Sequence, residues 1–177
     1  MIVVSDAGPL IALGKLGQLG LLFKLYDQVF MPREVYHEVV RNGLRLGASD
    51  SQAIDFLVQQ GHIQVIAASL PSPLPDWTQP IDIGEVEVIV LAQQQEADWA
   101  LIDDAQARKA ARQLGLPLKG TVGILLEAFR KNSLSLQEFE LLIYTIKTQP
   151  DLWISEHLCN QALTQARKEA QQQSQSS

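Results

Sequence analysis

The chain begins with the stretch Met1-Ile2-Val3-Val4-Ser5-Asp6-Ala7-Gly8-Pro9-Leu10. Its apolar first residues contain no turn signal and predict a buried β-strand. Gly8 and Pro9 interrupt this strand, and Pro9 suits the first turn of a helix. Asp6 is therefore predicted at the carboxyl end of a first, central strand, which is where open α/β sheets bind their ligands.

A second strand of this kind lies far along the chain, at Trp99-Ala100-Leu101-Ile102, and Asp103-Asp104 follow it directly. Two strands that both end in carboxylates indicate one acidic site. We therefore predict that these two strands are neighbours in a central parallel sheet. Carboxylate oxygens are the ligands that hard divalent cations prefer. The two strand ends together therefore predict a cation site.

The composition is that of a globular protein, with 177 residues, 46% apolar and 19% charged. The net charge of −6 argues against a general polyanion binder. It leaves open an enzyme whose own carboxylates hold cations that face phosphate. Cys159 is the only cysteine, and neither a signal peptide nor a membrane-length apolar run is evident. We therefore expect a cytoplasmic protein with no membrane partner.

Strand and helix patterns alternate along the chain, which predicts the α/β class and a three-layer α/β/α sandwich around a mostly parallel central sheet. Further strands are predicted at 28–31, 62–67 and 116–119. Helices are predicted at 9–16, 18–26, 32–41, 50–60, 85–96, 105–114, 121–131, 135–147 and 153–169. The four prolines of residues 71–80 predict an extended loop.

We expect two parts, a domain over residues 1–148 and a C-terminal segment over residues 149–177. Pro150 interrupts the helical pattern, and the Gln- and Ser-rich end from residue 171 is predicted to be disordered. The C-terminal helix is interpreted as one that docks on its own chain, with a contact to another chain as the alternative.

The aspartates have structural explanations beside functional ones. Asp6 either caps the following helix or binds a cation, and the nearby Gly8 favours the cation. Asp103 and Asp104 precede a helix, so one of them caps it while the other is available to a ligand. Arg108 follows at helical spacing, where pairing with Asp104 is the ordinary role and contact with a phosphate is the alternative.

Two glutamates lie on predicted helices. Glu38 is at the edge of an apolar stripe, where an ordinary surface carboxylate pairs with Arg41. Glu85 opens a helix and leads its buried face. A favourable position in the helix dipole and a place in an acidic site explain Glu85 equally well.

No other catalytic pattern is evident. His37, His62 and His157 are scattered and share no zinc spacing. The sequence has no Ser–His–Asp order with a nucleophile elbow, no phosphate-binding glycine loop and no dinucleotide fingerprint. Because no nucleophile is visible, the remaining chemistry is metal-assisted attack by water.

Four motifs, in this order and spacing, resemble the PIN-domain family. They are Asp6 after the first strand, Glu38 in Pro-x-x-Val-x-x-Glu-Val, Glu85 in Gly-Glu-x-Glu-x-Ile-x-Leu-Ala, and the pair Asp103-Asp104 in Leu-Ile-Asp-Asp-x-x-Ala-Arg. More closely, the chain is similar to a prokaryotic PIN-like group that opens with Ser-Asp-x-x-Pro-Leu-Ile and carries Gly-Thr-x-Gly, here residues 120–123. The resemblance covers about residues 1–148.

The resemblance implies an α/β/α ribonuclease whose clustered carboxylates hold Mg²⁺ or Mn²⁺. It implies catalytic roles for five carboxylates, Asp6, Glu38, Glu85, Asp103 and Asp104. Of these, all but Glu38 are implied as metal ligands, and a one-residue alignment shift decides between Asp103 and Asp104. Thr121 lies where a small hydroxyl residue supports such a site.

The resemblance also implies partners, because many PIN domains are VapC-type toxins that a small antitoxin neutralises and that commonly dimerise. We therefore expect an RNA substrate, a small antitoxin and a homodimer. The apolar stretch Leu19–Leu25, which a single small domain does not fully cover, supports the dimer. Single-stranded or loop RNA is the expected target, gripped by the nearest cations, Arg108, Lys109, Arg112 and Lys15.

Two other classes of function are alternatives to a ribonuclease. The first is a catalytically silent PIN fold that acts as a binding protein. The second is a phosphotransfer domain. A haloacid-dehalogenase-type phosphatase needs a second aspartate at position 8, which is Gly8. A receiver domain needs its acidic pair early in the chain, whereas Asp103-Asp104 comes late, so the phosphotransfer class is disfavoured.

Overall fold

The computed structural model describes residues 1–79 and 81–175. Its backbone divides into a first unit, Met1–Thr121, and a second unit that begins at Val122. The first unit contains one sheet with the strands β1 (Ile2–Ser5), β2 (Gln28–Pro32), β3 (Ile63–Ile66), β4 (Trp99–Leu101) and β5 (Leu118–Lys119).

The sheet has the strand order β3-β2-β1-β4-β5, and all neighbouring strands are parallel. The prediction that the first strand and the Trp99 strand are neighbours is confirmed, with Val4 opposite Ala100. On one side of β1 lie β2 and then β3, and on its other side lie β4 and then β5. The carboxyl ends of β1 and β4 therefore form the topological switch point, where sheets of this kind bind ligands.

Helices cover both faces of the sheet. In the first unit they are α1 (Ala7–Lys15), α2 (Gly20–Leu25), α3 (Arg33–Tyr36), α4 (Gly43–Arg45), α5 (Ser49–Gln59), α6 (Ile83–Gln94) and α7 (Ala105–Gln113). Parallel strands are joined by right-handed crossovers. After β3 the chain reverses its direction across the sheet, so α6 and α7 lie on the face opposite α1 and α5. The predicted three-layer α/β/α sandwich is confirmed.

One helical segment is longer than predicted. Residues His37–Asn42 form a π-helical turn that joins α3 to α4, so the segment runs without a break from Arg33 to Arg45. The predicted end at residue 41, just before Asn42-Gly43, is wrong, because Gly43 has an ordinary helical φ of −62° and the helix continues through it. The segment ends instead just before Gly47, whose φ of +73° is left-handed.

The apolar stretch Leu19–Leu25 is covered by its own chain. Leu21 is 2% exposed, and Leu22 and Leu25 are likewise buried in the core of the first unit. The expectation that this stretch is left uncovered is therefore wrong, since the amphipathic turn of α2 packs inward against β2.

The proline-rich stretch is an irregular connection that includes a short 3₁₀ turn at Asp76–Thr78. The hydroxyl of Thr78 donates to the carbonyl of Pro75, which fixes that turn. Pro80, the last residue of the predicted loop, lies outside the described residues.

The second unit is helical. It contains most of α8 (Thr121–Arg130), together with α9 (Leu136–Thr148) and α10 (Glu156–Gln175). Helix α10 packs on α9, and the rings of Phe129 and Phe139 lie 5.9 Å apart in the core of this unit. In the described part of the chain, no helix combines the length and the apolar character needed to cross a membrane.

The predicted disorder from residue 171 is wrong for residues 171–175, which continue α10. Glutamine is a good helix former, and the preceding turn is anchored where Glu169 accepts bonds from Arg130 (2.6 Å) and Gln165 (2.6 Å). The remaining residues of that predicted tail, Ser176 and Ser177, lie outside the described part of the chain.

Candidate active site

The ends of β1 and β4 bring Asp6 and Asp103 to the same edge of the sheet. The N–H of Asp6 donates to the carbonyl of Leu101 at 2.9 Å, which extends the ladder between the two strands. A Cβ added to Gly8 would lie 3.6 Å from Oδ2 of Asp103, so the first turn of α1 packs directly on that carboxylate. Asp6 is the N-cap residue of α1, but its side chain makes no capping hydrogen bond.

Burial and several nearby groups change the pKa of the Asp6 carboxyl. Its residue is only 7% exposed, and burial is the main reason that its pKa rises from the ordinary 3.8 to about 7. The backbone N–H of Ala7 partly opposes this rise in pKa, while repulsion from Glu85, Glu38 and Asp103 adds to it. Three of the other four predicted carboxylates therefore act on Asp6.

Glu38 is brought to the site by the π-helical turn. A Cβ added to Gly84 would lie 3.8 Å from Oε2 of Glu38, so the start of α6 lies beside this carboxyl. Although the residue is largely exposed, partial burial of its carboxyl raises the pKa of Glu38, as does repulsion from Asp82 and Glu34. Among the described residues, no ion pair joins Glu38 to Arg41, so the ordinary surface pairing is not realised.

Glu85 forms part of the cap of α6, and other carboxylates act on it electrostatically. With Asp82 it forms a capping box at the start of α6, and its Oε2 accepts the N–H of Asp82 at 3.0 Å. Burial raises the pKa of Glu85, the bond from Asp82 opposes this, and repulsion from Asp104, Asp82 and Glu38 adds to the rise. Asp82 is an acidic neighbour that sequence reasoning missed, although the spacing Asp-x-x-Glu is a known helix-start signal.

Asp103 and Asp104 accept hydrogen bonds from different parts of the chain. Oδ1 of Asp104 accepts the N–H groups of Gln106 (2.7 Å) and Ala107 (2.8 Å), so Asp104 caps α7. Oδ1 of Asp103 accepts the N–H of Thr121 at 2.8 Å, and Oδ2 accepts its hydroxyl at 2.5 Å. Burial raises the pKa of Asp103, while the two bonds from Thr121 oppose that rise.

Arg108 bonds to the backbone rather than to Asp104. Its Nη1 donates to the carbonyl of Ile102 at 2.6 Å. Burial and the neighbouring Arg112 lower the pKa of Arg108, and Asp103 raises it. Helical spacing identifies neighbours on the same helix but not a carbonyl at the end of β4, which is why sequence reasoning missed this bond.

The family model for the PIN domain matches residues 2–168, nearly the whole chain. The chain belongs to the PIN-domain family. The match continues past residue 148, where the sequence placed the end of this domain, and includes the first part of α10. No curated protein matches the chain. PIN domains are generally nucleases and typically use divalent metal ions.

The donor chemistry of this PIN domain fits a hard divalent cation, because the candidate ligands are all carboxylates. Burial and repulsion from other carboxylates raise the pKa of Asp6 and of Glu85. Within residues 1–79 and 81–175, however, no three Asp, Glu, His or Cys side chains are arranged to hold a metal ion together. Mg²⁺ keeps several waters and binds proteins through one or two carboxylates. The site therefore fits a hydrated cation better than a fully enclosed one.

Proposed function

We propose that this PIN domain is a metal-dependent ribonuclease that hydrolyses RNA phosphodiester bonds. Its active site is the acidic cluster, defined as Asp6, Glu38, Glu85, Asp103 and Asp104. The observation that carries the proposal is Asp6, a carboxyl that is 7% exposed at the switch point of the sheet and has like charges around it. Burying such a group is costly unless a cation or a proton compensates its charge.

The proposed cation is Mg²⁺ or Mn²⁺, and its candidate ligands are Asp6, Glu85, Asp103 and Asp104. One or two of these carboxylates bind the ion directly, and the others contact its bound waters. When bound, such an ion supplies charge stabilisation and lowers the pKa of a water. Thr121 fixes both oxygens of Asp103, whereas the capping bonds of Asp104 use only Oδ1 and leave Oδ2 for a ligand.

Glu38 has a different role in this proposal. Its partly buried carboxyl has a raised pKa and lies beside the start of α6. A carboxylate whose pKa is closer to neutrality is a better proton acceptor. We therefore assign Glu38 as the group that receives a proton from the attacking water.

Positively charged side chains near the acidic cluster bind the phosphates of the RNA substrate. Lys109 and Arg112 are exposed on α7, directly after the Asp104 cap. Arg108 holds the carbonyl of Ile102 and so supports the end of β4. RNA binding by these side chains weakens as salt rises, because each phosphate contact releases counterions.

The test is cleavage of single-stranded RNA by the wild type and by Asp6→Asn, with MnCl₂, with MgCl₂ and with EDTA. Asparagine preserves the shape of the side chain but removes its charge. The expected result is cleavage by the wild type that EDTA abolishes and that Asp6→Asn reduces at least about a hundredfold. Asp76→Asn, at an exposed aspartate outside the cluster, is the matched control. Equal cleavage by the wild type and Asp6→Asn would show that the cluster is not the active site.

A catalytically silent binding protein is the second candidate. The observation that favours it is that the described residues contain no ready three-ligand metal group. The same assay separates the two functions. RNA that is retained on the protein but remains intact with every cation supports the silent protein.

The proposal extends to a cytoplasmic toxin that a small antitoxin neutralises, and to a homodimer. The support is membership of the PIN-domain family, together with large apolar side chains exposed in the second unit, Leu141, Tyr144, Trp153 and Leu158. Expression of the wild type should arrest cell growth, and Asp6→Asn should not. Light scattering should give twice the mass of one chain, and a single-chain mass would contradict the dimer.

A further inference from the structure

The π-helical turn that carries Glu38 has an altered pattern of hydrogen bonds. In a regular α-helix the N–H of Gly43 donates to the carbonyl four residues back, which is that of Val39. Here it donates to the carbonyl of Val40. The hydroxyl of Ser51, on the first turn of α5, donates to the carbonyl of Val39 at 2.7 Å. A side chain from another helix thus bonds a backbone carbonyl within this turn.

Ser51 lies so close to Gly43 that position 43 does not accept a larger side chain. Ser51 is 1% exposed. A Cβ added to Gly43 would lie 1.8 Å from Oγ and 2.9 Å from Cβ of Ser51. Since the φ of Gly43 is ordinary for a helix, glycine is required here by this contact and not by backbone conformation.

The first turn of α5 also packs on the helix that follows Asp6. A Cβ added to Gly14 of α1 would lie 2.7 Å from Cβ of Asp50. Asp50 and Ser51 are adjacent and both buried. One turn of α5 therefore contacts, at two glycines, the helix that begins after Asp6 and the segment that carries Glu38.

We propose that Ser51 is a positioning residue, whose hydroxyl holds the π-helical turn His37–Asn42 and thereby directs Glu38 into the acidic cluster. Glu38 is the second residue of this turn and lies one position before Val39, so a change in the path of the backbone at Val39 reorients Glu38. The catalytic consequence rests on the proposed ribonuclease function, whereas the geometric part does not.

The experiment compares the full-length wild type with Ser51→Ala and with the matched control Ser49→Ala, at an exposed serine two residues earlier on α5. The first measurement uses the metal-free protein and records amide hydrogen exchange at residues 39–44 and the ¹³C chemical shift of the Glu38 carboxyl. The second measures RNA cleavage for Ser51→Ala, Glu38→Gln and the double variant. Ser51→Cys, with a similar shape and a much weaker donor, replaces Ser51→Ala if the latter does not fold.

We expect Ser51→Ala to speed amide exchange in the turn and to move the Glu38 signal, with neither effect in Ser49→Ala. It should lower kcat roughly tenfold with little change in KM, because misplacing a catalytic group affects the chemical step. In the Glu38→Gln background the same change should cost nothing further, since Ser51 acts through Glu38.

Two results would overturn the inference. One is a Ser51→Ala protein whose amide exchange and Glu38 signal match those of the wild type. The other is an equal loss of kcat with and without Glu38, which would indicate a general structural effect. If the wild type cleaves no RNA, the proposed function fails, and the metal-free measurements alone decide whether Ser51 directs Glu38.

Discussion

The buried Asp6 carboxyl makes the metal-free protein less stable as the pH rises. Because the pKa of Asp6 is raised from 3.8 to about 7, the folded state keeps a proton that the unfolded state releases between these values. Stability falls with pH wherever the folded state binds more protons. This contribution is fully present below about pH 4 and is lost as the pH rises through 7, at most about 4 kcal/mol. Urea unfolding in EDTA should show the decline for the wild type and a shallower one for Asp6→Asn.

Asp76→Asn provides the control for this slope, because Asp76 is exposed and outside the cluster. It should keep the pH dependence of the wild type. Burial and like charges also raise the pKa of Glu38 and of Glu85, so some decline should remain in Asp6→Asn. An identical slope in the wild type and Asp6→Asn would mean that Asp6 is not the buried titrating group.

At the scale of residues, positions set by the backbone could be predicted, while partners from distant segments could not. Asp6 was found because a buried strand ends there, and that depends only on local pattern. The sequence prediction omits Asp82, although this residue is adjacent to the Glu85 motif and forms a capping box with Glu85. The bonds from Thr121 to Asp103 span 18 residues, and no local pattern specifies which oxygen they reach.

At the scale of elements, the start of α8 depends on Asp103. Thr121→Val removes the hydroxyl that donates to Oδ2 of Asp103 and keeps the shape of a fully buried side chain. A buried carboxylate oxygen without its partner costs about 1–3 kcal/mol. Thr121→Ser keeps the hydroxyl and should lose less. Urea unfolding at pH 7 measures both variants, and a valine variant as stable as the serine variant would contradict this role for the hydroxyl.

Glu87 connects α6, which carries Glu85, to α3, which leads directly into the π-helical turn that carries Glu38. Its Oε2, on α6, accepts the N–H of Glu34 on α3 at 3.0 Å. Glu87→Ala should speed exchange of the Glu34 amide and cost about 0.5–1.5 kcal/mol of unfolding free energy. Glu87→Gln still offers an acceptor oxygen and should retain most of this protection. Slow exchange of the Glu34 amide in both variants would show that the bond does not hold the helices together.

The helical segment Arg33–Arg45 shows why the ends of elements are harder to predict than their type. Asn42-Gly43 is a strong stop signal, because glycine commonly ends helices in a left-handed conformation. Here glycine is required for close contact with Ser51, so the helix continues through it. The contact depends on the tertiary position of α5, which local sequence does not encode.

At the scale of the whole molecule, the sheet could be predicted further than the C-terminal region. Alternating strands and helices with right-handed crossovers leave few topologies, and the β1–β4 neighbourhood followed from their shared carboxylates. The end of α10 could not be predicted from composition alone. Its polar glutamines suggest disorder, yet the helix is anchored through Glu169 to Arg130.

Binding of Mn²⁺ at the acidic cluster should stabilise the folded chain as a whole. A ligand that binds only the folded state adds RT ln(1 + [L]/Kd) to the free energy of unfolding, about 2.7 kcal/mol at a hundredfold excess over Kd. The cation also offsets the repulsion that Glu85, Glu38 and Asp103 exert on Asp6. The unfolding midpoint of the wild type should therefore rise with MnCl₂, measured at pH 7.5 against NaCl of equal ionic strength. Asp6→Asn should start with a higher midpoint in EDTA, because it removes a buried charge, and should gain less from Mn²⁺. Equal gains in the wild type and Asp6→Asn would place the bound cation elsewhere and remove the main support for the proposed chemistry.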